Sequence, residues 1–151
     1  MAIHNPKSIH PPVGNYSHGV AMPPNCRVLY VAGQTGIRPD GTTPASFEDQ
    51  CHVVWQNIRA IVEDAGMRLT DIVKLTVLLT DVGNLAKMAE VRKLYLGDHK
   101  PAVTGFGVAA LVRPEWQIEI DAIALKPVAA PRPTARKATK RAAKRAVRRK
   151  R

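Results

Sequence analysis

Apolar and polar positions follow recognisable periods over the first 125 residues and predict a short series of elements. Arg27 to Ala32 (Arg-Val-Leu-Tyr-Val-Ala) is a brief β-favouring run that stops at Gly33, as a buried strand would. Pro39-Asp40-Gly41 marks a turn. Ser46 followed by Asp49 resembles a capping box. Behind it Val54, Ile58, Ile61, Val62 and Ala65 recur at helical spacing, and Gly66 closes the helix. From Ile72 to Leu79 the period changes to two, with Val73, Leu75, Val77 and Leu79 on one face of a strand. Asn84 is placed to cap a second helix with the stripe Leu85, Met88, Val91 and Tyr95, ended by Gly97. Ala102–Val108 and Trp116–Leu125 are two further strands. In the last, Trp116, Ile118, Ile120 and Ala122 share one face, and Glu119 and Asp121 share the other. The first eighteen residues, broken by Pro6, Pro11, Pro12 and Gly14, predict nothing regular.

The order strand–helix–strand–helix–strand–strand predicts an α+β domain over residues 1–125: one sheet with both helices on a single face. No third helix is available for the opposite face, so association with further copies of the chain is expected.

Composition adds one feature. The chain has 151 residues and a net charge of +11. Twelve Lys/Arg and no Asp or Glu lie between Lys126 and Arg151, leaving eleven basic against twelve acidic residues before that point. The domain is therefore near neutral, and the basicity belongs to a tail. Residues 126–133 hold three prolines and predict a stiff linker. Residues 134–151, almost wholly Ala, Lys, Arg and Thr, have too little apolar surface to fold alone. No apolar run is long enough for a membrane span, and the first residues carry no apolar segment of a secretory signal. The expected compartment is the cytoplasm, with nucleoid association through the tail. Cys26 and Cys51 are then two reduced thiols, and no metal site is expected from the spacing of the five histidines.

Candidate chemistry is sparse. The nucleotide-binding, zinc-protease and serine-hydrolase motifs are all missing. Glu119 and Asp121 project to the same side of a strand, about 7 Å apart. On a solvated sheet face they are ordinary surface charges. Covered by a neighbouring copy, they would be partly desolvated, the condition that suits a carboxyl to proton transfer. Gly105 and Gly107, inside Val103-Thr104-Gly105-Phe106-Gly107, mark either a β-bulge or the close approach of a ligand. Gly33-Gln34-Thr35-Gly36 is either a plain turn or a set of amides for an anion.

Taken together, these segments resemble the RidA/YjgF family, reactive-intermediate deaminases also labelled L-PSP endoribonucleases. The resemblance begins with Gly14-Asn15-Tyr16-Ser17-His18-Gly19 and Leu29-Tyr30-Val31-Ala32-Gly33-Gln34. It continues through Gln56-Asn57-Ile58-Arg59-Ala60-Ile61, Asp71-Ile72-Val73-Lys74-Leu75-Thr76-Val77 and Leu79-Thr80-Asp81. Pro101-Ala102 and Ile118-Glu119-Ile120-Asp121-Ala122-Ile123-Ala124 complete it, so that it spans about residues 9–125 and leaves the tail outside.

The resemblance implies a chorismate-mutase-like fold, a homotrimer with ligand pockets between subunits, and hydrolysis of imines or enamines without metal or organic cofactor. It implies a role for Glu119 in activating water. Tyr16, Gly33, Gln34, Val103, Thr104 and Gly105 would form the substrate-binding set. One position departs from the family: Val103 stands where a Pro-Ala-Arg motif places the arginine that pairs with a substrate carboxylate. The departure points to a small neutral imine or carbonyl compound over a 2-iminoacid, since an apolar pocket end opposes an unpaired carboxylate.

Three functions follow for comparison: an imine or enamine deaminase, a non-catalytic small-ligand-binding or chaperone-like trimer, and nonspecific nucleic-acid binding through residues 126–151. The ribonuclease label finds no matching His/Lys constellation in the sequence. The tail holds no aromatic residue for base stacking, so its binding is expected to be sequence-blind. Deleting residues 126–151 is predicted to abolish DNA and RNA binding and to flatten its salt dependence, measured by fluorescence anisotropy over a salt series.

Overall fold

The computed structural model describes residues 1–128; residues 129–151, and with them most of the basic tail, lie outside the described residues. Among the described residues six strands and two α-helices occur in chain order. They are β1 (Ala2–His4), β2 (Gly19–Ala21), β3 (Cys26–Thr35), α1 (Phe47–Asp64), β4 (Ile72–Leu79), α2 (Leu85–Leu96), β5 (Ala102–Gly107) and β6 (Ile118–Pro127), with short 3-10 turns before β4 and α2. Four strands form one sheet in the order β3-β6-β4-β5. β6 pairs antiparallel with both β3 and β4, and β5 runs parallel to β4 at the edge. The fold is α+β, as the sequence predicts.

The period-two pattern is what sorts the sheet. Ile118, Ile120, Ala122 and Ala124 of β6 are fully buried, as are Leu75 and Val77 of β4, and all meet Val54, Trp55, Ile58 and Val62 of α1 in one core. At roughly 1.5–3 kcal/mol for each large apolar side chain, this one-sided burial dominates the favourable terms. The other face is bare: Val28 and Tyr30 of β3 are 49% and 76% exposed.

Several boundaries differ from the pattern. β3 does not stop at Gly33 but runs to Thr35, because a register shift between Val31 and Gln34 absorbs the glycine. Gly33-Gln34-Thr35 is thus the end of a strand and not a turn. Trp116 precedes β6, and β6 continues past Leu125 so that Lys126 and Pro127 pair with Arg27 and Cys26. Those two residues begin as sheet, not as linker. Near the start, Ala2–His4 pairs with Gly19–Ala21, a short hairpin that the sequence did not suggest.

Caps follow local chemistry. Ser46 Oγ accepts from the Asp49 amide and donates to the Asp49 carboxylate, opening α1 as expected. Asn84 makes no side-chain cap bond. Asp81 does that work one turn earlier, accepting from the Gly83 amide at 2.8 Å in a 3-10 turn that feeds α2.

Gln50 is one of the buried polar residues among those described. Its fully buried amide donates to the carbonyls of Pro44 and Glu115 at 2.8 and 2.9 Å and accepts from the Gln117 amide at 2.9 Å. It ties the loop before α1 to the segment that leads into β6. Truncation would leave three buried backbone groups unpaired. Gln50→Ala is predicted to lower stability by about 2–4 kcal/mol, read as a drop in the urea midpoint without a change in slope.

Candidate functional site

A cleft of about 550 Å³ opens on the helix side of the sheet, between β5 and α2. Its volume is typical of small-molecule sites. Leu85, Ala86, Met88, Ala89 and Arg92 line it from α2, and Val77 and Leu79 form part of its floor from β4. Val103, Gly105 and Gly107 line it from β5, and Val13, Gly14 and Tyr16 close one side.

Its existence follows from the residues on β5. The strand keeps an unbroken register with β4 from Lys74↔Ala102 to Leu79↔Gly107, so the two glycines do not mark a bulge. A Cβ at Gly105 would meet nothing within 4 Å; one at Gly107 would come 2.7 Å from Val82 Cγ1. Gly105 therefore leaves open space above β5, and Gly107 permits the turn after β4 to close over the strand.

Tyr16 reaches the cleft because the residue after it is anchored. Ser17 is buried, with its amide donating to Pro101 O at 3.0 Å and its Oγ to Lys100 O at 2.8 Å. It also forms a parallel bridge with Ala102. These bonds fix the N-terminal segment against the start of β5, and the Tyr16 ring packs edge-on against His18 at 5.8 Å.

Glu119 occupies a different place. It pairs with Thr35 of β3 and Leu78 of β4, and its neighbours Ile118 and Ile120 point into the core, so its side chain lies on the sheet face that the helices leave bare. There it crosses directly over Gly33: a Cβ at that position would fall 1.9 Å from Glu119 Oε1 and 2.8 Å from Cδ. Only glycine leaves room for the carboxylate. Gln34 follows on β3, paired with Ile120, and its amide donates to Ala32 O at 3.1 Å. Thr104 accepts a hydrogen bond from Lys74 and, by strand alternation, faces away from Val103 and Gly105. Asp121 is exposed.

Within one chain, then, the sequence-named residues form two groups. Tyr16, Val103 and Gly105 line the cleft; Glu119 and Gly33 meet on the opposite face of the sheet, with Thr104 nearer its edge, while Gln34 pairs with Ile120. Among the described residues no three His, Cys, Asp or Glu side chains gather as metal ligands would. Cys51 offers no nucleophile, since burial, with Glu48 nearby, pushes its thiol up to about 12.

One site residue escapes the sequence reading. Arg92 is only 5% exposed and lines the cleft, its Nε has no hydrogen-bond partner, and burial lowers its pKa below the ordinary arginine value. The signal was spacing. Leu85, Met88, Ala89 and Arg92 stand at i, i+3, i+4 and i+7 on α2, but a stripe counted from apolar residues alone passes over an arginine.

Comparison with known proteins extends the picture. The family model Endoribonuclease L-PSP matches residues 7–126. A RutC family protein of Pyrococcus horikoshii is 39% identical over 117 residues, covering 76% of this chain and 90% of that protein. The 2-iminobutanoate/2-iminopropanoate deaminase of Rattus norvegicus is 34% identical over 116 residues, covering 76% and 82%. The crystal structure of Escherichia coli TdcF with bound serine superposes with a TM-score of 0.63 at 33% identity, covering 76% of this chain and 91% of that one.

The contact between Gly33 and Glu119 yields a direct test. In Gly33→Ala the new methyl group is predicted to swing the Glu119 carboxylate aside, because the far end of a flexible side chain yields before the sheet does. A crystal structure of the variant should show the displaced carboxylate, with the melting temperature within a few degrees of wild type.

Proposed function

Because the chain belongs to the endoribonuclease L-PSP family, the RidA/YjgF group of reactive-intermediate deaminases, we propose that it hydrolyses small imines or enamines in pockets completed between copies of itself. The observation that carries this reading is the placement of Glu119 over Gly33 on a bare sheet face. A carboxylate held by a close backbone approach, on a surface whose Val28 and Tyr30 call for apolar cover, is suited to an interface. In a homotrimer that face of one subunit meets its neighbour, and a Glu119 group joins a Tyr16–Gly105 cleft across the boundary.

The chemistry asks for little more. Water adds to the C=N carbon while Glu119 takes one of its protons and passes it to the nitrogen, giving a neutral carbinolamine. Glu119 then takes the hydroxyl proton and delivers it to the amino nitrogen, the C–N bond breaks as the C=O bond forms, and ammonia leaves with the carboxylate restored. An enamine first takes a proton on carbon to reach the imine. Tyr16 and the backbone of Gly105 orient the ligand. The TdcF structure with bound serine and the name of the rat deaminase support a small nitrogen-bearing ligand for this pocket.

A second reading, binding without turnover, is favoured by Val103 at the position where the family carries arginine. Calorimetric binding with no ammonia released from any imine would decide for it.

The deciding assay generates imines in situ from several amino acids with an oxidase and traps the survivors with semicarbazide. Wild type is expected to lower the trapped fraction and release ammonia. Glu119→Gln should slow this by about a hundredfold or more. Unchanged hydrolysis in the variant would remove Glu119 from the mechanism, and light scattering in the same preparation should give the mass of a trimer.

A further inference from the structure

Arg92 is the one charged group in an otherwise apolar cleft. Among the described residues no carboxylate lines the cleft, and the phenol of Tyr16 is the other polar side chain there. None of the ion pairs among the described residues includes Arg92, and its Nε is buried without a partner. A guanidinium does not lose its proton in a protein, so a cation stands desolvated and uncompensated beside an empty volume. Such a group needs an anion of matching shape, and the planar fork of arginine fits a carboxylate.

The position across the cleft sharpens the point. Val103 on β5 lines the same cleft from the opposite wall, at the place where a family member would carry its carboxylate-binding arginine. This chain has a guanidinium on the helix wall and an aliphatic side chain on the strand wall. We infer that Arg92 is the specificity-determining residue of the cleft, gripping the carboxylate of a small 2-imino or 2-oxo acid from α2 in place of the arginine that β5 lacks. The ligand class is therefore anionic, contrary to what Val103 alone implies. The inference rests on the imine-hydrolysis reading for its choice of ligand, though not for the presence of an anion site.

Imines decay in water, so a stable ketoacid serves as the probe. Full-length protein is titrated calorimetrically with 2-oxobutanoate and with its uncharged amide. Wild type is expected to prefer the carboxylate by about tenfold or more, the scale of a charge-assisted pair. Arg92→Met should erase that preference at unchanged oligomeric mass. The double variant Arg92→Met/Val103→Arg, which moves the guanidinium to the strand wall, should restore it. If Arg92→Met unfolds, Arg92→Lys keeps the charge without the fork and should show a several-fold weaker preference.

A carboxylate preference in Arg92→Met equal to that of wild type would overturn the inference, as would no preference in wild type. A change of oligomeric mass in Arg92→Met would also overturn it, showing that the guanidinium pairs with a neighbouring copy. The two claims separate cleanly. A carboxylate preference that follows Arg92 without any Glu119-dependent turnover leaves the anion site standing and removes the deaminase. Glu119-dependent hydrolysis of 2-iminobutanoate that Arg92→Met leaves unchanged does the reverse.

Discussion

Ile118, Ile120, Ala122 and Ala124 reach the core together because β6 is held from both sides, antiparallel to β3 and to β4. That double pairing fixes the register of the last strand. A slip of one residue would send four core side chains outward and bring Glu119 and Asp121 into the apolar interior, where neither charge has a partner. The placement of Glu119 over Gly33 is therefore a by-product of the strongest constraint in the sheet. The carboxylate is aimed by the burial of its two neighbours.

The cleft arises from a complementary weakness. β5 pairs with a single neighbour, and its inward face carries Val103 and two glycines where a tightly packed strand would carry larger side chains. Tertiary structure closes around the gap without filling it: Ser17 pins the N-terminal segment at one end of β5, and Asp81 shapes the turn into α2 near the other. Rigid walls around an unfilled volume are what a small ligand requires.

How far the sequence discloses this depends on the length over which each signal is averaged. α1, α2, β4 and the body of β6 rest on several apolar positions at a fixed period, and all four are present. Signals of one or two residues fare worse. Gly33 looks like a stop, yet a bulge carries β3 past it. Asn84 has the chemistry of a cap, yet Asp81 takes the amide. The hairpin of Ala2–His4 with Gly19–Ala21 is three residues long on each side and is set by partners remote in sequence. The site was legible in kind and not in assembly. Tyr16, Val103 and Gly105 share the cleft, and the period of two in the last strand already puts Glu119 on the face away from the core. What a linear string does not show is that the cleft lies on the helix side, with the sheet between it and that carboxylate. Arg92 was hidden because pattern reading treats charge as a mark of solvent.

The path by which β6 ends has its own meaning. Its first residues pair with Leu79, beside the cleft, and its last pair with Cys26 and Arg27 at the opposite end of the sheet, where the Val128 amide still donates to Asn25 O. Ten residues of extended strand separate the two ends by about 30 Å. The last described residues thus lie at the end of the sheet remote from the cleft, and Lys126, the first cation of the basic run, is tied there by its hydrogen bond to Gly66 O. The cleft mouth and the point where the chain leaves the domain are therefore separated by the length of one strand.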